Sequence, residues 1–228
     1  MLSANDLYDV LLCADAHGFT AVHLAAGHNN TEVLKKMLIG LSNKQRIVLL
    51  NTKTREGNTV MHIVARGTEV DKMGHFIFHV FGGTGLDSLL LTLNSQELTP
   101  IHVAAGNSCT FTALTEMLQW QSTENQVALL DQKTGDGDTV VHIAAGNIRG
   151  AEVLKSKSTL ISFDDFQSLL HIENKQKLTP IHIAVGNCNF EVAHLDIAQE
   201  CHKRCNRISV CHSTNKQTRA IAHVFISL

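Results

Sequence analysis

Apolar and polar positions follow one cycle along the whole chain. A short, nearly continuous apolar run such as residues 100–106 (PIHVAAG) is entered through a threonine and left through Gly-Asn. A longer segment follows, with apolar residues three and four apart, as in TEVLKKMLIGL after Asn30 and TALTEMLQW after Phe111. That spacing predicts an amphipathic helix. A polar turn such as TREGN (54–58) or TGDGD (134–138) then closes the cycle. Threonine before a helical run is an N-cap, its hydroxyl accepting from a free backbone N–H. Pro100 and Pro180 follow it at the first helical position, where the missing N–H costs nothing. Ala104 and Ala105 allow a neighbouring helix to approach closely, which makes this the inner helix of a pair. Gly-Asn at 106–107, 146–147 and 186–187 reads as a helix stop of left-handed type.

The cycle recurs five times, from Thr20 (TAVHLAAG), Thr59 (TVMHIVARG), Thr99 (TPIHVAAGN), Thr139 (TVVHIAAGN) and Thr179 (TPIHIAVGN), at spacings of 39, 40, 40 and 40 residues. A decayed sixth copy starts at Thr218. A period this regular means one supersecondary unit stacked on itself. The expected fold is therefore an all-α solenoid, one domain over residues 1–228. Its repeats are placed at about 15–54, 55–94, 95–134, 135–174 and 175–214, with a partial sixth at 215–228. Copies 80 residues apart agree better than copies 40 apart. Residues 88–107 and 168–187 match at 13 of 20 positions, whereas 88–107 and 128–147 match at eight. The unit of duplication is thus a pair of repeats.

These residues resemble the ankyrin repeat, whose core is Gly-x-Thr-Pro-Leu-His-x-Ala-Ala. That resemblance implies paired helices and projecting turns. An ankyrin unit is about 33 residues long, so the extra residues here are assigned to lengthened helices or loops at 42–48 and 122–128. A narrower resemblance lies at GDTVVHIAAGN (137–147) and LISFDDFQSLLHIENKQKLTPIHIAV (160–185). These stretches are similar to the first two repeats of IκB proteins and to the ankyrin tails of NF-κB precursors and Relish. They imply a non-catalytic inhibitor or scaffold that holds a Rel-homology dimer. The alternative is a general ankyrin adaptor, including a bacterial or viral effector, with an unrelated protein partner.

Composition narrows this further. The chain is 44% apolar but only 5% aromatic, so its core is built from Leu, Ile, Val and Ala. The formal charge of −2 supplies no global field for nucleic acid or an acidic membrane. No apolar run approaches the roughly 18 residues of a membrane span. Asp6 and Asp9 stand where a secretory signal would be apolar. Six unevenly spaced cysteines suit reduced thiols. The expected location is cytoplasmic, with shuttling to the nucleus. The early start at DLYDVLL and the apolar end AIAHVFISL suggest part of a longer array, a truncated isoform, or a last helix that docks on something.

No constellation points to catalysis or a cofactor. There is no phosphate loop and no nucleophile elbow. Asp164 and Asp165 read as the cap of a short helix, and GDGD (135–138) lacks the other ligands of a calcium loop. GTGLDS (83–88) lacks the leading acid of a phosphodegron and reads as a helix-ending loop. His23, His62, His102, His142 and His182 recur once per unit with Thr20, Thr59, Thr99, Thr139 and Thr179, so they are structural. His75 and His79 favour helix packing over metal. The one weak zinc candidate is Cys201, Cys205, Cys211 and His212, whose spacing fits no common zinc module.

Function then falls to the concave face and the projecting turns. The turn tips carry Arg55, Glu56 and Asn58, then Gln96 and Glu97, then Asp136 and Asp138, then Lys175 and Lys177. An invariant frame with variable tips is what a protein-binding surface requires.

Overall fold

The computed structural model describes residues 4–67, 73, 76–77, 86–107, 111–119, 121–147 and 162–187. The described residues are helical and contain no strand. Helices α1 (Ala4–Leu12), α2 (Ala21–Gly27), α3 (Thr31–Leu38) and α4 (Asn43–Asn51) come first. Helices α5 (Val60–Arg66), α6 (Leu86–Leu90), α7 (Pro100–Gly106) and α8 (Phe111–Gln119) follow. The last are α9 (Thr123–Leu130), α10 (Val140–Gly146), α11 (Phe163–Leu170) and α12 (Pro180–Gly186).

The threonine-led helices α2, α5, α7, α10 and α12 pack in chain order, each on the next. Small residues make this approach possible. A Cβ placed on Gly106 would lie 3.5 Å from the Ile143 methyl of the following helix, and one on Gly146 would lie 3.4 Å from that of Ile183. Gly106, Gly146 and Gly186 are the last helical residues. The expected left-handed stop at Gly-Asn does not occur. Asn107 has φ −83° and Asn147 φ −92°. What the asparagine supplies is a bridge, because Asn107 Nδ2 donates to the Ala65 and Arg66 carbonyls of α5 at 3.3 and 3.0 Å. Asn147 does the same to Ala105 and Gly106 of α7. These carbonyls end a helix and have no partner within it.

The second helices, α3 and α8, lie where the spacing predicts them. The residues beyond them differ from expectation. Segments 42–48 and 122–128 neither lengthen a helix nor form a loop. They open a separate third helix, α4 and α9, and α11 repeats the device. Ser42, Ser122 and Ser162 cap these helices, each Oγ accepting the N–H three residues on. Asp164 and Asp165 sit in the first turn of α11, where Ser162 Oγ donates to Asp165 Oδ2 at 2.6 Å. Arg46 Nε and Gln126 Nε2 reach back to the Leu38 and Leu118 carbonyls at 3.0 and 2.8 Å, closing the bend between second and third helices.

Each third helix ends in a buried leucine pair: Leu49–Leu50, Leu89–Leu90, Leu129–Leu130 and Leu169–Leu170. Burying such a side chain contributes about 1.5–3 kcal/mol, so the added helix carries its own share of the core. Helix α1 places Leu11 in the same phase. Of residues 83–88, 86–88 lie in α6 and 83–85 lie outside the described residues. His75, His79, the cluster Cys201, Cys205, Cys211 and His212, and the sixth copy at 215–228 lie outside the described residues.

Candidate protein-binding surface

The five threonine–histidine pairs form the frame of the surface. In each, the histidine sits at the third helical position and its Nδ1 accepts the threonine backbone N–H, at 3.0–3.2 Å. The threonine Oγ1 lies 2.8–2.9 Å from the same nitrogen. An Nδ1 that accepts leaves the proton on Nε2. His23 Nε2 then donates to the Thr52 carbonyl and His102 Nε2 to that of Gln132, both at 3.0 Å. His62 and His142 donate to Leu98 and Leu178, at 2.9 and 3.1 Å. Two of these rings thus tie their helix cap to the chain just past their own unit's third helix, and the other two tie it to the next unit's hairpin. Burial is the main reason that all five histidines titrate below their ordinary value, His62 at about 4. Neutral rings with both nitrogens engaged are structural groups.

The turns between units are hairpins of one design. Asp15, Thr54, Asn94, Thr134 and Asn174 open them, and their backbone N–H groups bond the carbonyl four residues on. The open side-chain oxygen of each accepts backbone N–H groups within the turn. The fourth position is left-handed in every case: Gly18, Gly57 and Gly137 at φ 74–81°, Glu97 at 58° and Lys177 at 62°. A type I turn followed by a left-handed residue is a common three-residue hairpin loop. Successive hairpins are laced together. Arg55 N–H donates to His17 O at 2.9 Å, Ser95 N–H to Glu56 O at 3.0 Å, and Lys175 N–H to Asp136 O at 3.0 Å. Gly57 is required there, because a Cβ would lie 2.6 Å from Ser95 N.

The 80-residue period has its physical basis in this lacing. Hairpins 54–58 and 134–138 close on Asn58 and Asp138, whose side-chain oxygens accept from Asn94 Nδ2 and Asn174 Nδ2 at 2.9 and 2.7 Å. Hairpins 94–98 and 174–178 close on Leu98 and Leu178, which offer no such acceptor. The two hairpin types must alternate for every asparagine to find its partner.

The residues singled out in the turns therefore divide. Arg55, Glu56, Gln96, Asp136 and Lys175 stand exposed at the hairpin tips, and Glu97 and Lys177 are exposed at the left-handed position. Asn58 is buried against the next hairpin, which takes it out of the accessible set, and Asp138 is half-buried with its carboxylate accepting from Asn174. Lys177 Nζ lies 3.3 Å from Glu173. The first hairpin adds an exposed His17 that the turn comparison missed.

A second surface lies on the first helices. Their fourth residues, Leu24, Ile63, Val103, Ile143 and Ile183, form an aliphatic row in the same phase, and Leu24 is 47% exposed. A cleft of about 380 Å³ opens on this face, lined by Arg66, Leu98, Val103, Gly106, Asn107 and Ile143. The signal was present in the sequence as a position-by-position comparison of the five copies.

The family model of the ankyrin repeat matches residues 17–45, which span the end of the first hairpin, α2, α3 and the start of α4. No curated protein matches the chain. Ankyrin repeats are in general non-catalytic units that bind protein partners. No helix among the described residues is long and apolar enough to cross a membrane.

Proposed function

We propose that the chain is a non-catalytic protein-interaction module, a solenoid of five stacked ankyrin units whose hairpin tips meet a folded partner. One observation carries this reading. The repeated Thr–His groups are consumed inside the frame, while the exposed tips Arg55, Glu56, Gln96, Glu97, Asp136, Lys175 and Lys177 differ from unit to unit. A constant frame presenting variable charge is suited to selecting one partner. The IκB-like stretches at 137–147 and 160–185 favour a Rel-homology dimer as that partner, held in the cytoplasm and carried into the nucleus.

The test is a titration of the chain against a purified Rel-homology dimer at two salt concentrations, with a DNA competitor. Salt-sensitive binding that displaces DNA, weakened by Arg55→Ala with Lys175→Ala, is the expected result. No binding at micromolar concentration by a folded chain would remove the Rel-homology partner. Binding unaffected by the tip substitutions would remove the tips.

A further inference from the structure

Three of the four joins between successive hairpins carry the lacing bond: Arg55 N–H to His17 O, Ser95 N–H to Glu56 O and Lys175 N–H to Asp136 O. In each of them the earlier hairpin has glycine at its left-handed position, Gly18, Gly57 or Gly137. These glycines leave the room that the next hairpin occupies. A Cβ on them would lie 2.7 Å from Arg55 N, 2.6 Å from Ser95 N and 3.0 Å from Lys175 N. The fourth join, between hairpins 94–98 and 134–138, has Glu97 at that position, at φ 58°. No hydrogen bond joins these two hairpins. Gly135 N–H stands where Arg55, Ser95 and Lys175 donate, and it has no partner among the described residues. The Glu97 carboxylate lies against Gly135 instead.

The first join is the matching comparison. Hairpins 15–19 and 94–98 close on Phe19 and Leu98, and a hairpin opened by Thr54 or Thr134 follows each. His23 and His102 both end their bonds short of that next hairpin, on Thr52 and Gln132. The left-handed residue is where the two joins part: with Gly18 the bond forms, and with Glu97 it does not. The helices beneath the open join stay tied. Asn147 Nδ2 donates to the Ala105 and Gly106 carbonyls at 3.4 and 3.3 Å, at the ends of α7 and α10 far from the hairpins. A helix of seven residues sets that tie about 10 Å from the hairpin ends.

We propose that Glu97 is a wedge, and that the row of tips bends at this one join about a pivot at the helix ends. The tips then form two arms. One consists of hairpins 15–19, 54–58 and 94–98 and carries Arg55, Glu56 and Gln96. The other consists of hairpins 134–138 and 174–178 and carries Asp136, Lys175 and Lys177. Opening the joint sets the distance between the charges of the two arms, and a partner selects among the separations. That role rests on the reading of the tips as partner-facing, whereas the joint itself is tested without a partner.

The test places spin labels on the full chain through a ketone-bearing amino acid, which leaves the natural cysteines unlabelled. One pair, at positions 96 and 136, spans the join. Two others, at 55 and 96 and at 136 and 175, lie within the arms. Pulsed-EPR distance distributions are expected to be broader across the join than within either arm. Glu97→Gly removes the Cβ and the left-handed strain together, so the chain folds and the distribution narrows to that of the arms. Glu97→Ala keeps the Cβ and leaves it broad. Amide exchange of the unlabelled chain gives a second readout. Gly135 N–H exchanges as an open amide while Arg55, Ser95 and Lys175 N–H are slowed. Glu97→Gly slows Gly135 N–H by about fivefold or more, as one ordinary hydrogen bond requires. The proposal is overturned by equal widths for the three pairs, by a Glu97→Gly chain of unchanged width and exchange, or by Glu97→Ala closing the join as fully as glycine does. Failure here with tip-dependent binding of a partner intact removes the joint alone. Failure of the partner titration leaves the joint standing and removes its role.

Discussion

Gly57 and Gly135 stand in hairpins of the same type, on either side of hairpin 94–98, and bear very different loads. Gly57 is left-handed at φ 74°, and any Cβ meets the backbone of Ser95. Gly57→Ala therefore combines about 1–2 kcal/mol of left-handed strain with a backbone clash, and is expected to cost about 2 kcal/mol or more. A Cβ on Gly135 meets only the Glu97 carboxylate, the free end of a flexible side chain. Gly135→Ala should cost less than about 0.5 kcal/mol, as for an ordinary surface position. Urea unfolding of the two variants tests the order, and equal losses would contradict the turn geometry. The buried histidines set the pH response. A second proton on Nδ1 would face the threonine N–H that this nitrogen accepts in each pair. The folded values lie below the unfolded 6.5, so the stabilisation is complete above pH 6.5 and is lost as pH falls through the folded values. His62, at about 4, contributes about 3 kcal/mol of that loss on its own. The urea midpoint should hold level above pH 7 and fall between pH 6.5 and 4, with more than one proton taken up per molecule. A level midpoint across that interval would refute it.

Hairpin alternation makes a sharper demand on elements. Asn174 Nδ2 donates to the Asp138 carboxylate, whereas Asn94 Nδ2 donates to the amide oxygen of Asn58. Asn174→Asp sets two carboxylates against each other, and about 2–3 kcal/mol should be lost at neutral pH. Part of it should return as acid protonates one of the pair. Asn94→Asp should lose less, because the Asn58 amide can turn its nitrogen toward the new carboxylate. Equal losses for the two, measured at pH 7 and again at pH 4, would break the account. The Thr–His frame was legible from spacing alone, since a cap and its third-position histidine are local and recur with every unit. The third helices were not. NKQRIVLLN is polar for four residues and then apolar for four in a row, with no three-and-four spacing, so its helicity comes from the Ser42 cap and from burial of Leu49 and Leu50. The asparagines after the first helices were misread for a related reason. Asn107 bonds carbonyls 41 and 42 residues earlier, and no local rule for helix ends sees a partner so far away. The position of Asn58 in its turn predicts a tip residue, and only the stacked hairpin shows what covers it.

At the scale of the whole molecule, the pairing of unlike hairpins predicts which lengths of chain can be removed. Excising residues 60–99 joins Thr59 to Pro100 in phase and keeps every cap, but it stacks hairpin 134–138 directly on hairpin 54–58. Thr134 would then face Asn58 where Asn94 had been, and the buried Asn58 amide oxygen would lose its donor. An unsatisfied buried acceptor costs about 1–3 kcal/mol. Excising residues 60–139 removes both hairpin types together and brings Asn174 to Asn58, so the donor is kept. If units contributed only independent, additive terms, the chain lacking one unit would always exceed the chain lacking two. Alternation narrows or inverts that difference. The decisive variant is Thr134→Asn. In the 40-residue excision it supplies the missing Nδ2 and should restore about 1–2 kcal/mol. In the intact chain, residue 134 follows a hairpin closed by Leu98, which has no acceptor to offer, and the same substitution should bring no gain. Four urea titrations, with and without the substitution in each background, decide the matter. A gain in both backgrounds, or in neither, would mean that the asparagine bond does not govern the order of the units.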